Sequence, residues 1–234
     1  MDWIAAIERE GHALSVAARH DPKAEVPSCP GWDVDELLRH TSVTHRWSAR
    51  ILRERLMARA ELEHPPGHDS LSWYEAGLAA LLEALRGIDP ATPVWTFGPD
   101  RTAAFWFRRQ AHETTIHRVD AQQATGAVGP IDPTFAVDGI TEILEVMMPR
   151  VVRNTPVAAG GTLHLHTTDA EGEWLLRFGE GRVDVEVGHA RGDAAVRGTA
   201  AELYLWLWGR DDGEELERFG DAELAERLRR LTRI

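Results

Sequence analysis

The residues of this chain best placed to do chemistry lie in one stretch, FWFRRQAHETTIHRVD, residues 105–120. No glycine or proline interrupts it before Gly126, and Ala103, Phe107, Ala111 and Thr114 continue a small or apolar face, so it is expected to be one helix. At about 100° per residue, Glu113 and His117 project side by side, whereas His112 and His117 diverge by roughly 140°. HETTIH therefore differs from the zincin pattern, in which two histidines four apart flank a general-base glutamate. The matched pair here is a carboxylate and an imidazole. Such a pair can occupy two corners of a metal site, or it can be a solvated ion pair one helical turn apart.

A third ligand has to come from another element. The segment around residues 33–60 opens with Asp33 as a helix N-cap, has Glu36 three residues on, and carries Val34, Leu37, Leu38, Val43, Trp47, Ile51 and Leu52 at helical spacing. It offers His40 and His45, which are five apart, so only one can face a given target. His40 lies in register with Leu37 and the inward face, where a hydrogen-bonded core histidine is the other reading. Facing helices of a bundle build metal sites from inward side chains. His40, Glu113 and His117 together would supply two imidazoles and one carboxylate with a position left open, the arrangement of zinc that does chemistry.

Periodicity also gives a first helix near residues 2–19, a third over 71–86 and a fifth over about 134–153. Prolines and glycines mark connections at 20–30, 64–69 and 87–100. After Asn154 the texture changes. TLHLHTTD, EWLLRF and VDVEV alternate between apolar and polar residues, giving three or four short strands, followed by helices near 198–208 and 222–231. The expected fold class is α+β, with a helical domain over 1–154 and a small α+β domain over 155–234.

The totals narrow the possible roles. The chain has 234 residues and a formal net charge of −12, with no basic block, which argues against nucleic acid as a partner. The single Cys29 excludes an internal disulfide and a CxxC-type zinc knuckle. No run of about 20 apolar residues is present and the first residues are amphipathic and charged, so a cytoplasmic protein is expected. A monomer is expected as well. Lys23 is the only lysine among 26 basic residues, a skew that suits a high-GC genome.

The segment CPGWDVDELLRH, residues 29–40, resembles the opening of the mycothiol-dependent maleylpyruvate isomerase family, in which a Gly-Trp precedes a helix and a zinc-binding histidine follows about two turns later. Trp32 and His40 match that arrangement. Glu113, His117 and Asp120 match the family's later Glu-x-x-x-His signature with its nearby aspartate. Gly209 and Arg210, after the helical residues 204–208, resemble the Gly-Arg whose arginine enters the active site there.

The resemblance implies a DinB-like four-helix bundle with an extra helix, then a small sterol-carrier-like domain. It implies zinc (or another divalent metal) on His40, Glu113 and His117, with Arg210 as the catalytic arginine. It also implies the actinobacterial thiol mycothiol as nucleophile and a small electrophile as substrate, for isomerisation of maleylpyruvate-like compounds or S-transfer. A zinc hydrolase on the same ligands, and a non-catalytic metal-bearing binding protein, are the competing expectations.

Further expectations concern the neighbours of these residues. Arg108 and Arg109 are candidates for substrate contact. Asp120 is expected to hold either an outer hydrogen bond to the site or a salt bridge with a cation such as Arg118. His45, His112 and Cys29 are expected to stay outside the ligand set, and the tryptophans to pack the core.

Overall fold

The computed structural model describes residues 1–65, 67 and 69–232; Pro66 and His68, in the expected connection at 64–69, lie outside that set. Two compact units divide the chain, Met1–Gly129 and Pro130–Ile234.

The first unit is helical, with α1 at Trp3–His20, α2 at Val34–Glu54, α3 at Ser70–Arg86 and α4 at Ala104–Thr125. Local chemistry sets the helix starts. Carboxylates of Asp2, Asp33 and Asp69 cap α1, α2 and α3 by accepting from backbone N–H groups three residues on. Helix α2 stops at Glu54, short of the expected end near Ala60. Arg55 turns left-handed with φ of 49°, and Leu56 N–H donates to the Ile51 carbonyl at 3.0 Å. The returning chain then lays the Ala60 carbonyl on the Trp47 indole N–H at 2.9 Å.

Helix α4 is buried on almost every side, which is why its sequence shows no clean apolar stripe. Several of its interior polar groups find partners close by. The hydroxyls of Thr114 and Thr115 donate to carbonyls one turn back at 2.7 and 2.8 Å, and Arg118 Nε donates to Glu10 of α1 at 2.8 Å. At the start of α4, Trp106 packs edge-on against Trp47, Phe97 and Phe105.

The second unit begins with α5 at Pro133–Glu142, one π-helical turn at Ile143–Met147, and α6 at Met148–Val152. The expected single helix over 134–153 is therefore interrupted. Pro149 has no N–H for the Glu145 carbonyl and its ring crowds that carbonyl, so the helix widens and Met148 N–H reaches Ile143 instead. Strands β1 (Thr162–Thr167), β2 (Glu173–Gly179), β3 (Arg182–Val187), β4 (Ala194–Gly198) and β5 (Glu217–Gly220) form one mixed sheet in the order β3-β2-β1-β4-β5. Only β1 and β4 run parallel. Helices α7 (Ala200–Leu207) and α8 (Ala222–Thr232) complete the unit.

One face of this sheet is apolar. Leu163 pairs with Leu176 and Leu165 with Trp174, all four buried, and the Trp174 indole N–H donates to Thr141 of α5 at 3.2 Å. Phe135 of α5 meets Tyr204 of α7 edge to face at a centroid distance of 6.5 Å. Through these contacts the helix expected to finish the N-terminal domain packs with the sheet. The compact units accordingly meet at residues 129 and 130, whereas the change of sequence texture lies near 155. The α+β class stands, and the extra helix assigned to the bundle belongs to the second unit. Among the described residues, no helix is long and apolar enough to cross a membrane.

Candidate metal centre

Helix α2 contributes His40, and α4 contributes Glu113 and His117 from successive turns of one face. The structure brings these three together. One donor atom from each lies within 4.8 Å of the others. Both imidazole Nε2 atoms approach the same carboxylate oxygen, Glu113 Oε1, at 3.6 Å from His40 and 3.3 Å from His117. Tetrahedral zinc, with bonds of about 2.0–2.2 Å to N and O ligands, sets its ligands roughly 3.3 Å apart, so the three side chains could share such a cation with small adjustments.

Each of the three is oriented by a neighbour. His117 turns Nδ1 to Asp120 Oδ2 at 2.9 Å, which leaves Nε2 for the site. Asp120, fully buried, accepts from the Ser28 hydroxyl at 2.5 Å, and Cys29 Sγ stands 3.9 Å from its other oxygen. Arg109 Nη2, at 3.3 Å, holds Glu113 Oε2, the oxygen turned away from the histidines. The Trp32 ring leans on the His40 ring at a centroid distance of 4.9 Å. Residues 109, 113, 117 and 120 form one row along α4, as steps of four, four and three require.

Electrostatics reinforce this geometry. Burial opposes ionisation of Glu113, yet hydrogen bonds from His117 and His40 outweigh it and hold the carboxyl well below its usual range. Burial likewise disfavours the His117 imidazolium, but the hydrogen bonds to Asp120 and Glu113 carry it up to about 9. A buried imidazole between two carboxylates marks a place that favours positive charge. A divalent cation on the Nε2 side would meet that demand with neutral imidazoles as ligands.

Several expectations change at this level. His40 was expected on the apolar face of α2, but its side chain is 43% exposed, so it meets Glu113 from the solvent side of the cluster. The apolar position goes to His45, which is fully buried with Nε2 3.0 Å from the Thr114 hydroxyl; burial lowers its pKa to about 3. His112 is buried edge-on to the Trp3 ring. Arg109, considered for substrate contact, is buried against Glu113. Asp120 makes the outer hydrogen bond, while Arg118 turns to Glu10. Trp32 does more than fill the core, since it braces a histidine.

Ser28 carries no sequence signal beyond its place two residues before a Pro-Gly turn leading to a helix cap. The left-handed Gly31, with φ of 85°, turns that segment, and the Trp32 carbonyl then accepts from Val26 N–H at 2.9 Å.

Arg210 belongs to the second unit, just past α7. Gly209, with φ of 71°, ends the helix: its N–H donates to Trp206, and Arg210 N–H donates to Leu205 at 2.8 Å. That pair of bonds is a Schellman turn, which only a left-handed residue closes without strain. The Arg210 guanidinium donates to the Trp208 carbonyl at 2.7 Å.

The model of the mycothiol maleylpyruvate isomerase N-terminal domain matches residues 4–122, and that of the C-terminal domain of the same family matches 134–227. Among solved structures, a mycothiol-dependent maleylpyruvate isomerase is similar at 14% identity and a TM-score of 0.66, covering 92% of this chain and 91% of that one. A histidine-to-alanine mutant of a mycothiol-dependent maleylpyruvate isomerase is similar at 15% identity and a TM-score of 0.65, with the same coverage. Among curated proteins, no sequence is significantly similar. With both domain models matched in order along nearly its whole length, the chain belongs to the mycothiol-dependent maleylpyruvate isomerase family of enzymes.

Proposed function

We propose that this enzyme activates a low-molecular-weight thiol, mycothiol, at zinc or another divalent cation held by His40, Glu113 and His117. Its reaction would be cis–trans isomerisation of a maleylpyruvate-like substrate or S-transfer to a related electrophile. The observation that carries the reading is the convergence of two imidazoles and one carboxylate, a three-ligand set that leaves a position open beside the exposed His40. When bound, the cation supplies the positive charge that lets a thiol lose its proton near neutral pH.

The chain's own residues then have defined tasks. Asp120 and Ser28 fix the His117 tautomer, and Arg109 holds Glu113 so that a single oxygen faces the histidines. Trp32, which braces His40, also lines a polar surface groove with Lys23, Glu25, Glu36 and Arg39, suited to the body of a polar thiol. In isomerisation the thiolate adds to the cis double bond and the displaced electron pair moves onto the substrate carbonyl. Rotation about the new single bond and elimination of the same thiolate then give the trans isomer, with no net change in electrons or protons. Arg210 is assigned to the substrate carboxylate or the developing enolate, on the strength of the family resemblance and of the turn that fixes its backbone. The reading takes the protein to be a cytoplasmic monomer, in a compartment where small thiols stay reduced.

The test is turnover of maleylpyruvate by metal-loaded protein with and without added mycothiol. Strict dependence on the thiol is expected; equal turnover without it would replace this reading by a hydrolase. Arg210→Ala should keep its metal and lose at least about 100-fold in kcat/KM, in line with loss of one oriented charge donor. Unchanged kinetics would remove Arg210 from the mechanism.

Outer-sphere support gives a further expectation. Asp120→Asn keeps the shape but weakens the hydrogen bond to His117, and should lower metal affinity by about 10–100-fold. A chelator competition titration measures this, and wild-type affinity in the variant would show that Asp120 serves only the fold.

A further inference from the structure

A second histidine–carboxylate cluster lies wholly within the C-terminal unit, on the face of the sheet opposite its apolar core. Residues two apart on a strand share a face, so His164 and His166 of β1 project together. The antiparallel register sets His166 directly across from Glu173 of β2, with His164 on the adjoining diagonal. His164 Nε2 lies 3.0 Å from Glu173 Oε2 and His166 Nδ1 lies 3.3 Å from Oε1. His189, from the loop after β3, brings Nδ1 to 2.7 Å from Glu173 Oε2. The His164 ring centroid is 6.0 Å from that of His166 and 5.8 Å from that of His189.

The loop that carries His189 is tied down at both ends. Gly188 N–H donates to the Glu173 carbonyl at 2.9 Å. Asp193 accepts from the Thr162 N–H at 2.9 Å and returns a bond from its own N–H to the Thr162 hydroxyl. Three imidazoles thus meet one carboxylate: His164 is buried beside its cross-strand partner Leu175, while His166 and His189 are more open to solvent. Protonated together they would repel one another, whereas neutral they present ring nitrogens to the two oxygens of one carboxylate. Arg197, across from His166 on β4, turns toward Glu217 at 3.8 Å.

We propose that His164, His166 and Glu173, joined by His189, form a second binding site for a late first-row divalent cation, with zinc as its natural occupant. Donor atoms of the first three lie within 4.8 Å of one another, and the His164 and His166 nitrogens stand 3.0 and 3.3 Å from the carboxylate, close to the ligand–ligand edges of a tetrahedral zinc site. Imidazole with carboxylate selects such cations over calcium or magnesium. Three donors stand together and His189, 2.7 Å from Glu173 and largely exposed, would swing in as the fourth; a site closed in this way holds structure, the cation clipping the 188–193 loop to β1 and β2. The three-ligand centre on α2 and α4 keeps an open position and is functionally distinct.

The test is zinc titration of metal-stripped full-length protein against a chromophoric chelator, on wild type, His117→Ala, His166→Ala and Glu173→Gln. Wild type should take up two equivalents. His117→Ala should keep one of them and still gain thermal stability from zinc, while His166→Ala and Glu173→Gln should each lose one equivalent, with affinity lowered more than about 100-fold. The Glu173→Gln change preserves shape and guards against misfolding, and imidazole nitrogen shifts of His164 and His166 on zinc addition report the site directly. Wild-type uptake in both His166→Ala and Glu173→Gln, or no zinc retained by His117→Ala, would overturn the proposal. Failure of the first centre reads differently, as a His117→Ala protein that binds as much zinc as wild type.

Discussion

Replacing His117 with alanine should release one equivalent of metal and lower thiol-dependent turnover by more than about 100-fold, because it removes a ligand where loss of outer support alone costs 10–100-fold. The loss should exceed that of any other single change at the centre. His117 is the only residue there that faces both the prospective cation, through Nε2, and the buried Asp120, through Nδ1. The substitution takes from Asp120 a partner it meets at 2.9 Å, so a fall in stability of about 1–3 kcal/mol should accompany the loss of metal. Metal analysis, turnover at saturating thiol and chemical denaturation on one preparation separate these effects. A variant that stays folded, gives up its metal and turns over normally would dissociate the His40, Glu113, His117 cluster from the chemistry.

The second large effect is expected one residue further along, and on stability rather than chemistry. Arg118 points about 100° away from His117 and reaches across to α1, where Nε meets Glu10 Oε2 at 2.8 Å with both side chains under a tenth exposed. It also ties down the end of α4, donating to Gln122 and to the Gly129 carbonyl at 2.8 and 2.9 Å. Arg118→Ala should cost on the order of 3 kcal/mol, because it leaves a mostly buried carboxylate that Arg9 meets only from the surface, at 2.9 Å. The pair itself is worth far less than that. Replacing Glu10 and Arg118 together with residues of matching bulk should restore much of the loss, since neither charge is then left desolvated. Urea denaturation of the single and double variants measures both quantities. Turnover per folded molecule should be unchanged in Arg118→Ala, and a cost below about 1 kcal/mol would show that water reaches Glu10 when the arginine is absent.

The contrast between these neighbours shows what spacing can say. That Glu113 and His117 share a face, and that Arg118 cannot join them, follows from helix geometry alone once residues 104–125 are helical. The choice of His40 over His45 was another matter. Apolar periodicity assigns His40 to an inward face, but the folded chain exposes it and buries His45 against Thr114. Helix α2 is rotated by how it packs along its neighbours, which its own sequence does not record; His40 follows from the inward register for a reason the fold does not keep, and the Gly-Trp motif supports the same residue.

Asp120 was similarly open. A carboxylate three residues after a histidine and two after an arginine can serve either, and the decision rested on Ser28 and Glu10, which are distant in sequence.

In the second unit, alternation in TLHLHT, EWLLRF and VDVEV revealed three strands because side-chain type along a strand is a local property, although β1 and β2 each bury three residues in succession. Strands β4 and β5 are five and four residues long, and AAVRG buries alternate residues that are mostly small, so residue type along them carries little polarity contrast. The boundary near residue 155 followed a real change of texture, from helix to strand, yet the helix before it packs with the strands after it. Secondary structure changes where local propensity changes, whereas compact units divide where contacts are fewest.

By itself, the sequence determined where the helices lie, the Asp33 cap, the shared face of Glu113 and His117, the three alternating strands, and enough motif to name a family. All of these depend on spacing within one element or on a short contiguous pattern. Only the tertiary structure decided that His40 meets the other two from the solvent side, that Asp120 serves His117, and that His164, His166 and His189 all meet Glu173. Those outcomes depend on helix rotation, strand register and loop return, and each is set by packing between segments far apart in the chain.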